Sequence, residues 1–582
     1  MWRTCDWELG TGTKKERCLQ EKSLLLCALL LSTLLGFTLL ITYIMMTCAL
    51  GSCDVEPSLA LLARLLNSRN DTVDPCEDFY KYACGSWKGK YSSTKVSRNI
   101  FDTLLDENKL ILKRLLEAPH FKIRGSAKEK AIQFYRSCMD TQRIESQGNQ
   151  LLKDLINQVG GWNMTGIGKA KDFNETLQIL MGRYNTFPFF RVLVGPSPFD
   201  PRTNVIQIDH PEFEMPAKSE FRKTNYLEEK APAIDWLSCL QAVFHPMPMN
   251  LSQPIAVHDM DYLRGMSQLI EEWHKKRVLH IYMIVCLVGN LSPALDSRFQ
   301  DARQELSKIL HGKMESNVIS DERWRKCLTD TSSFFEPVLG QMIVKEIFPQ
   351  QNKKLAEQMF NEIQNTLYGQ LDQLEWMDEQ TRQEAKALVS KLQVEIGYPT
   401  YILQTDKVNL EYQNLEINED TFLLNVVACL KKIRENSFLK LLQHHSQDIA
   451  VNFGAIGVFM AHELLHAFYG YVLPGGCPTC NRNVLQKSID CLVKQYESFG
   501  FKVNGTSTLL ENTADTGGLA IAYQAMCGHQ DPEELKSSLD TDPHSPLPLR
   551  VYGSVSNDQD FVKHFHCPQR SPMNPDSKCH IW

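Results

Sequence analysis

From Leu24 to Leu50 the sequence runs LLLCALLLSTLLGFTLLITYIMMTCAL without a single charge. Nothing else in the chain narrows the possible folds as far, because an uncharged run of this length crosses about 30 Å of hydrocarbon as one helix. A cleaved signal peptide carries an apolar part of only ~7–15 residues before a small-residue cleavage site. No A-x-A-like site stands out here, so residues 24–47 read as a signal-anchor. Arg3, Lys14, Lys15, Arg17 and Lys22 precede the run, whereas Asp54 and Glu56 follow it. The basic side stays in the cytoplasm. Residues 1–23 are then a short cytoplasmic tail, and residues 48–582 an extracellular ectodomain of a single-pass type II plasma-membrane protein.

Two further features fit that compartment. Six N-x-S/T sequons lie beyond the run, at Asn70, Asn163, Asn174, Asn250, Asn290 and Asn504, none with Pro in the middle. Fourteen cysteines follow from Cys53 onward, an even number suited to disulfides in an oxidising space. Cys477-Pro-Thr-Cys480 has no second C-x-x-C to complete a zinc site and is expected to be a structural disulfide. Cys48, at the outer edge of the anchor, can bridge to Cys53 or to another membrane protein.

A net charge of -7 gives no electrostatic footprint for nucleic acid. With 43% hydrophobic residues and no linker, repeat or low-complexity tract after residue 53, the ectodomain should bury a large core in one or two intimate lobes. The periodicity is mainly helical. Phe101–Leu116, Asp259–Leu279, Leu355–Leu374 and Glu379–Leu392 space apolar residues three and four apart, with charges on the other face. Phe187–Leu193 and Val205–Ile208 read as strands. The apolar stretch Ile281–Val288 is too short for a second span and reads as core.

The chemistry is carried by His462-Glu463-Leu-Leu-His466, within a segment, Ala455–Val472, that reads as a buried helix. Histidines four apart share one helix face and can reach a single tetrahedral Zn²⁺. Glu463 then stands beside the metal, placed to take a proton from a water whose pKa the metal lowers to ~7 and to pass it to a leaving amine. With 16 histidines in 582 residues the motif arises by accident in roughly 3% of such chains, so a second signal matters. It comes 45 residues after His466, in Glu511-Asn-Thr-Ala-Asp515, where two carboxylates again share a helix face. One can bind the metal while the other hydrogen-bonds the free nitrogen of a ligand histidine. The implied cofactor is one Zn²⁺ per chain.

Four motifs in order, Asp74-Pro-Cys-Glu-Asp-Phe-Tyr-Lys-Tyr-Ala-Cys-Gly-Ser-Trp87, His462–His466, Glu511–Leu519 and Met573–Trp582, carry a resemblance. They resemble the neprilysin and endothelin-converting enzyme family of zinc metallopeptidases. Ala231–Gln241 and Leu473–Cys477 are most similar to its blood-group-antigen branch. The resemblance implies His462, His466 and Glu511 as metal ligands, Glu463 as general base and Asp515 as the carboxylate that orients a ligand histidine. It further implies His544 as the residue that stabilises the oxyanion and Arg550 as the one that holds substrate. The implied fold is mainly α, two largely helical lobes enclosing a cavity, with a thermolysin-like zinc catalytic lobe. Residues 48–105 and 430–582 would form mainly that lobe, and 106–429 mainly the second. The implied substrates are extracellular bioactive peptides such as big endothelins, and the implied partner is a Kx-like membrane protein disulfide-linked through Cys48.

The sequence also departs from the family. The edge strand with an N-A-Y/F-Y motif that pairs with substrate has no counterpart in Leu441–Val451, which runs almost directly into the zinc helix. The chain is contracted between Glu212 and Ala231 and again after Gly518. A catalytically weak or inactive surface glycoprotein serving as a partner-binding subunit is therefore the alternative to a working endopeptidase.

Overall fold

The computed structural model describes residues 68–86, 98–119, 123–161, 171–197, 203–211, 220–273, 277–311, 323–348, 350–442, 448–451, 456–473, 477, 479–499, 503–518, 528–529 and 544–581. The tail 1–23, the anchor 24–47, Cys48 and Asn163 lie outside the described residues. The architecture is mainly helical, as the periodicity predicts, and side-chain caps fix where many helices begin. Ser126, Asp172, Asp235 and Asp378 each accept a hydrogen bond from a backbone N–H in the first turn that follows.

The largest apolar core gathers Ala127–Met139, Phe173–Tyr184, Trp236–Phe244, Arg277–Leu291, Arg323–Ile347 and Phe422–Leu442 around Tyr135, Trp236 and Phe244. The Cys138–Cys327 disulfide joins the first of these helices to the fifth. Arg277–Leu291 contains the apolar stretch 281–288; it buries Leu279, Met283, Ile284, Leu287 and Leu291 in this core while Tyr282 and Val285 stay exposed on its other side. A four-stranded sheet flanks these helices, in the order Arg191–Pro196, Asn204–Asp209, Pro254–Val257, Glu220–Lys223. Val192 opposes Ile208 across its antiparallel first pair, and both are buried.

A second core is built on the helix Ile456–His466, whose Met460, Leu464 and Leu465 are buried, together with Phe468 just beyond it. They pack with Phe360, Leu367 and Leu371, with Trp376 and Val389, and with Leu485, Leu492 and Tyr496. Residues 356–396 thus share a core with the H-E-x-x-H helix. The Trp376 indole donates to the Ile581 carbonyl, so the C-terminal segment closes the same core. A third cluster packs Phe79 against Phe561 and Phe565, with Met573 fully buried beside them. Cys76–Cys567 and Cys491–Cys579 fasten this end of the chain covalently. All three cores lie in one compact unit, Asp71–Trp582.

Cys477 and Cys480 are joined, as expected. Among the described cysteines, Cys239 and Cys429 are free thiols. Cys239 and Cys429 are buried in the largest core, where desolvation pushes both thiols well above the ordinary value and keeps them protonated. Among the sequons, Asn250, Asn290 and Asn504 are exposed. Asn70 and Asn174 are half-buried. The Asn290 amide nitrogen donates to Tyr184 O and Thr186 Oγ1.

Candidate active site

The H-E-x-x-H helix turns its apolar residues into the second core, which leaves the two imidazoles on the other side. Their ring centroids are 4.4 Å apart and the rings meet edge to face. The expected single helix to Val472 is interrupted: Ala467 and Phe468 donate to residues three back, and a separate turn, Tyr469–Val472, follows. Tightening to i−3 bonds coincides with full burial of Phe468.

The helix Leu509–Gly518 packs against this one and brings Glu511 to both imidazoles. Glu511 Oε2 lies 3.2 Å from His462 Nε2 and 3.5 Å from His466 Nε2. His544, just before the helix Leu547–Asn557, adds a third imidazole nitrogen 3.1 Å from the same oxygen. One turn beyond Glu511, Asp515 is 1% exposed and accepts from His462 Nδ1 at 2.9 Å. Arg550 closes the chain of contacts, donating from Nε and Nη2 to the two Asp515 oxygens at 2.6 and 2.7 Å. The guanidinium expected to hold substrate is thus turned onto Asp515, with its side chain only 13% exposed. Glu463 is half-buried, and a carboxylate oxygen of it lies within 4.8 Å of nitrogens on His462 and His466.

The electrostatics follow from this packing. Burial alone would depress the His462 imidazole, but bonds to Asp515 and Glu511 outweigh it and push it up to about 9. Burial and the neighbouring His462 charge take His466 the other way, to about 4. Glu511 is held far below the usual carboxylate range, since bonds from His462 and His544 overcome its desolvation. Asp515 is likewise held low by Arg550 and His462 despite complete burial.

Two residues of the site have no place in the sequence reading. Ser545 Oγ donates to Asn512 Oδ1 at 2.7 Å, both buried, and so ties the segment carrying His544 to the helix carrying Glu511. Their only sequence signal is adjacency to His544 and Glu511. The edge strand expected to be missing needs a correction. A four-residue strand, Asp448–Val451, does precede the zinc helix and pairs in parallel with Gln393–Ile396. Its residues, Asp-Ile-Ala-Val, still lack the N-A-Y motif.

Models of peptidase family M13 match residues 75–229 and 222–399 with the N-terminal part, and 438–528 and 524–581 with the peptidase part. The chain belongs to peptidase family M13. It is 35% identical to the Kell blood group glycoprotein of Homo sapiens, over 93% of this chain and 91% of that one. It is 31% identical to endothelin-converting enzyme 1 of Mus musculus, over 91% and 87%. The Kell alignment, at 675 positions, is longer than the 582-residue chain itself, so it opens gaps in this chain. Each family match restarts at a place where the sequence reads as contracted, near residues 222–229 and 524–528. The fold is also that of Mycobacterium tuberculosis zinc metalloprotease Zmp1, with a TM-score of 0.70 over 89% of this chain and 98% of that one at 16% identity. PepO from Lactobacillus rhamnosis is equally similar, with a TM-score of 0.70 over 88% and 100% at 16% identity.

The donor set fits the zinc that family membership implies. Two imidazoles a helical turn apart and a carboxylate from a facing helix are the nitrogen and oxygen ligands of catalytic zinc sites. Three imidazole nitrogens also converge on one carboxylate oxygen, which has only two lone pairs to offer. A cation among them lets every group turn a lone pair inward.

Proposed function

We propose that this chain is a zinc metalloendopeptidase of the cell surface, anchored through residues 24–47 with its ectodomain outside, that cuts extracellular bioactive peptides. The observation that carries the reading is the convergence of His462, His466 and Glu511, with Glu463 on the same helix as the two histidines. A zinc ion held there supplies Lewis-acid polarisation of the scissile carbonyl and lowers the pKa of the attacking water. Glu463 takes the proton of that water and returns it to the leaving amine. His544 donates toward the developing oxyanion, a contact typically worth ~2.7–4 kcal/mol. Asp515 fixes the His462 tautomer through Nδ1, and Arg550 keeps Asp515 ionised and in place.

Relatives named endothelin-converting enzymes make big endothelin the first peptide to try. The Kell relationship supports blood-group-antigen character and a disulfide partner through Cys48, such as a Kx-like membrane protein. The second reading is a partner-binding subunit with little turnover, favoured by the absence of the N-A-Y motif from the strand Asp448–Val451. The test is mass-spectrometric analysis of big endothelin incubated with the full chain in detergent, beside the Glu463→Gln variant. Product with the first and none with the second supports the enzyme. A zinc-loaded, folded chain that cuts no better than the variant leaves the binding subunit.

A further inference from the structure

We propose that the cavity between the helices Phe173–Tyr184, Trp236–Phe244 and Phe422–Leu442 binds a small organic anion: a carboxylate, sulfonate or phosphate monoester on a compact apolar body. This site is independent of the zinc reading. Its volume of about 640 Å³ falls among those of small-molecule sites, ~300–1,000 Å³. The walls are fixed by contacts within the chain. A Cβ on Gly182 would stand 2.7 Å from the Ala242 carbonyl oxygen, so the first two helices touch along one edge of the cavity. The Gln241 amide donates to Met247 O and accepts from Met249 N, both at 2.8 Å, which holds the turn that carries His245 and Met249 into the lining.

The third helix supplies the charge. Arg434 lines the cavity although it is only 5% exposed, and its guanidinium lies over the Phe187 ring, 5.3 Å from the centroid. Taking a cation out of water is costly, and burial pulls this guanidinium down to about 10, which leaves it charged at neutral pH. Its planar fork matches the paired oxygens of a carboxylate or phosphate. Lys431, three residues earlier on the same helix face, is exposed and lines the same cavity. Glu435 is the one carboxylate among the lining residues. It stands 3.9 Å from Lys432 Nζ, so the positive charge of Arg434 and Lys431 is in excess. Leu237, Val243 and Met249 add apolar surface. An anion with an apolar body offsets the desolvated cation and covers that surface, whereas a neutral molecule of the same shape does only the second.

Calorimetric titration of the full chain in detergent tests this with four probes: phenylacetate, benzenesulfonate, phenyl phosphate and neutral phenylacetamide. At least one anion should bind at least about tenfold tighter than the amide, and the strongest of the three identifies the headgroup. Arg434→Gln should remove that preference. Ser238→Phe, which fills the cavity and leaves Arg434 in place, should abolish binding, and Lys431→Gln should weaken it by about two- to fivefold. Circular dichroism checks each variant, and Ser238→Phe with Lys431→Gln decides if Arg434→Gln fails to fold. Equal binding of the amide and the anions overturns the proposal, as does a folded wild type that binds none of them. Anion binding that survives both Arg434→Gln and Ser238→Phe places the anion elsewhere, the metal site included, and overturns it too.

Discussion

Replacing Arg550 with alanine separates two roles that sequence resemblance alone would merge. In the structure its guanidinium holds the buried Asp515 through two short bonds, and Asp515 in turn holds His462 Nδ1. Removing one partner of such a buried pair leaves an uncompensated charge and costs about 3–5 kcal/mol. For a cooperative unit spanning residues 71–582, an unfolding entropy of about 2.1 cal/mol/K per residue converts that into a fall of roughly 3–5 °C in Tm. Weaker orientation of His462 should also reduce zinc affinity by ~10–100-fold. Arg550→Ala is therefore expected to lower Tm in a calorimetric scan and to raise the zinc dissociation constant, without any peptide present. Adding Asp515→Ala should return part of the lost stability, because the stranded carboxylate is then gone. An Arg550→Ala protein with wild-type Tm and zinc affinity, impaired only in KM for peptide, would refute this reasoning and make Arg550 a substrate contact alone.

Three other outcomes follow from named contacts. Gly553→Ala places a methyl onto the phenol of the fully buried Tyr496, and overpacking of this kind costs about 1–3 kcal/mol, measurable as a lower Tm. Joint replacement of Cys76 and Cys567 by serine should cost about 2–5 kcal/mol in thermal unfolding, since the bond closes most of the chain into a loop. Metal-free protein should be most stable near pH 6.5. His462, raised to about 9, contributes stability that is complete below 6.5 and lost as pH climbs through 9. His466, lowered to about 4, resists charging, so stability also falls from 6.5 toward 4. Tm scans across pH check this, and zinc should flatten the alkaline arm because it binds the neutral imidazoles.

The residues proposed for the metal site are legible because their spacing is chemical: H-E-x-x-H and E-x-x-x-D are helix-face patterns, and the structure brings the two helices that carry them together. Helix positions were also readable where one face is apolar, as at Phe101–Leu116, which appears as Ile100–Glu117. What packs against such a face was not. The helices Gln350–Gln370 and Glu379–Lys391 advertise a buried side, yet only the folded chain reveals that it meets the zinc helix. Arg550 illustrates the same limit from the other direction. Its distance in sequence from Asp515 hides a contact that burial makes decisive.

The fastening of Cys76 to Cys567 and of Trp376 to Ile581 sets an order of events in the making of the protein. At about 5–20 residues per second, Cys567 leaves the ribosome roughly half a minute to a minute and a half after Cys76. His544 and the residues that close the zinc core emerge in the same late interval. A nascent chain can therefore assemble its larger helical core while the cluster around Glu511 is still incomplete. The complete cluster of His462, His466, Glu511 and His544 is thus a property of molecules finished to within their last few dozen residues.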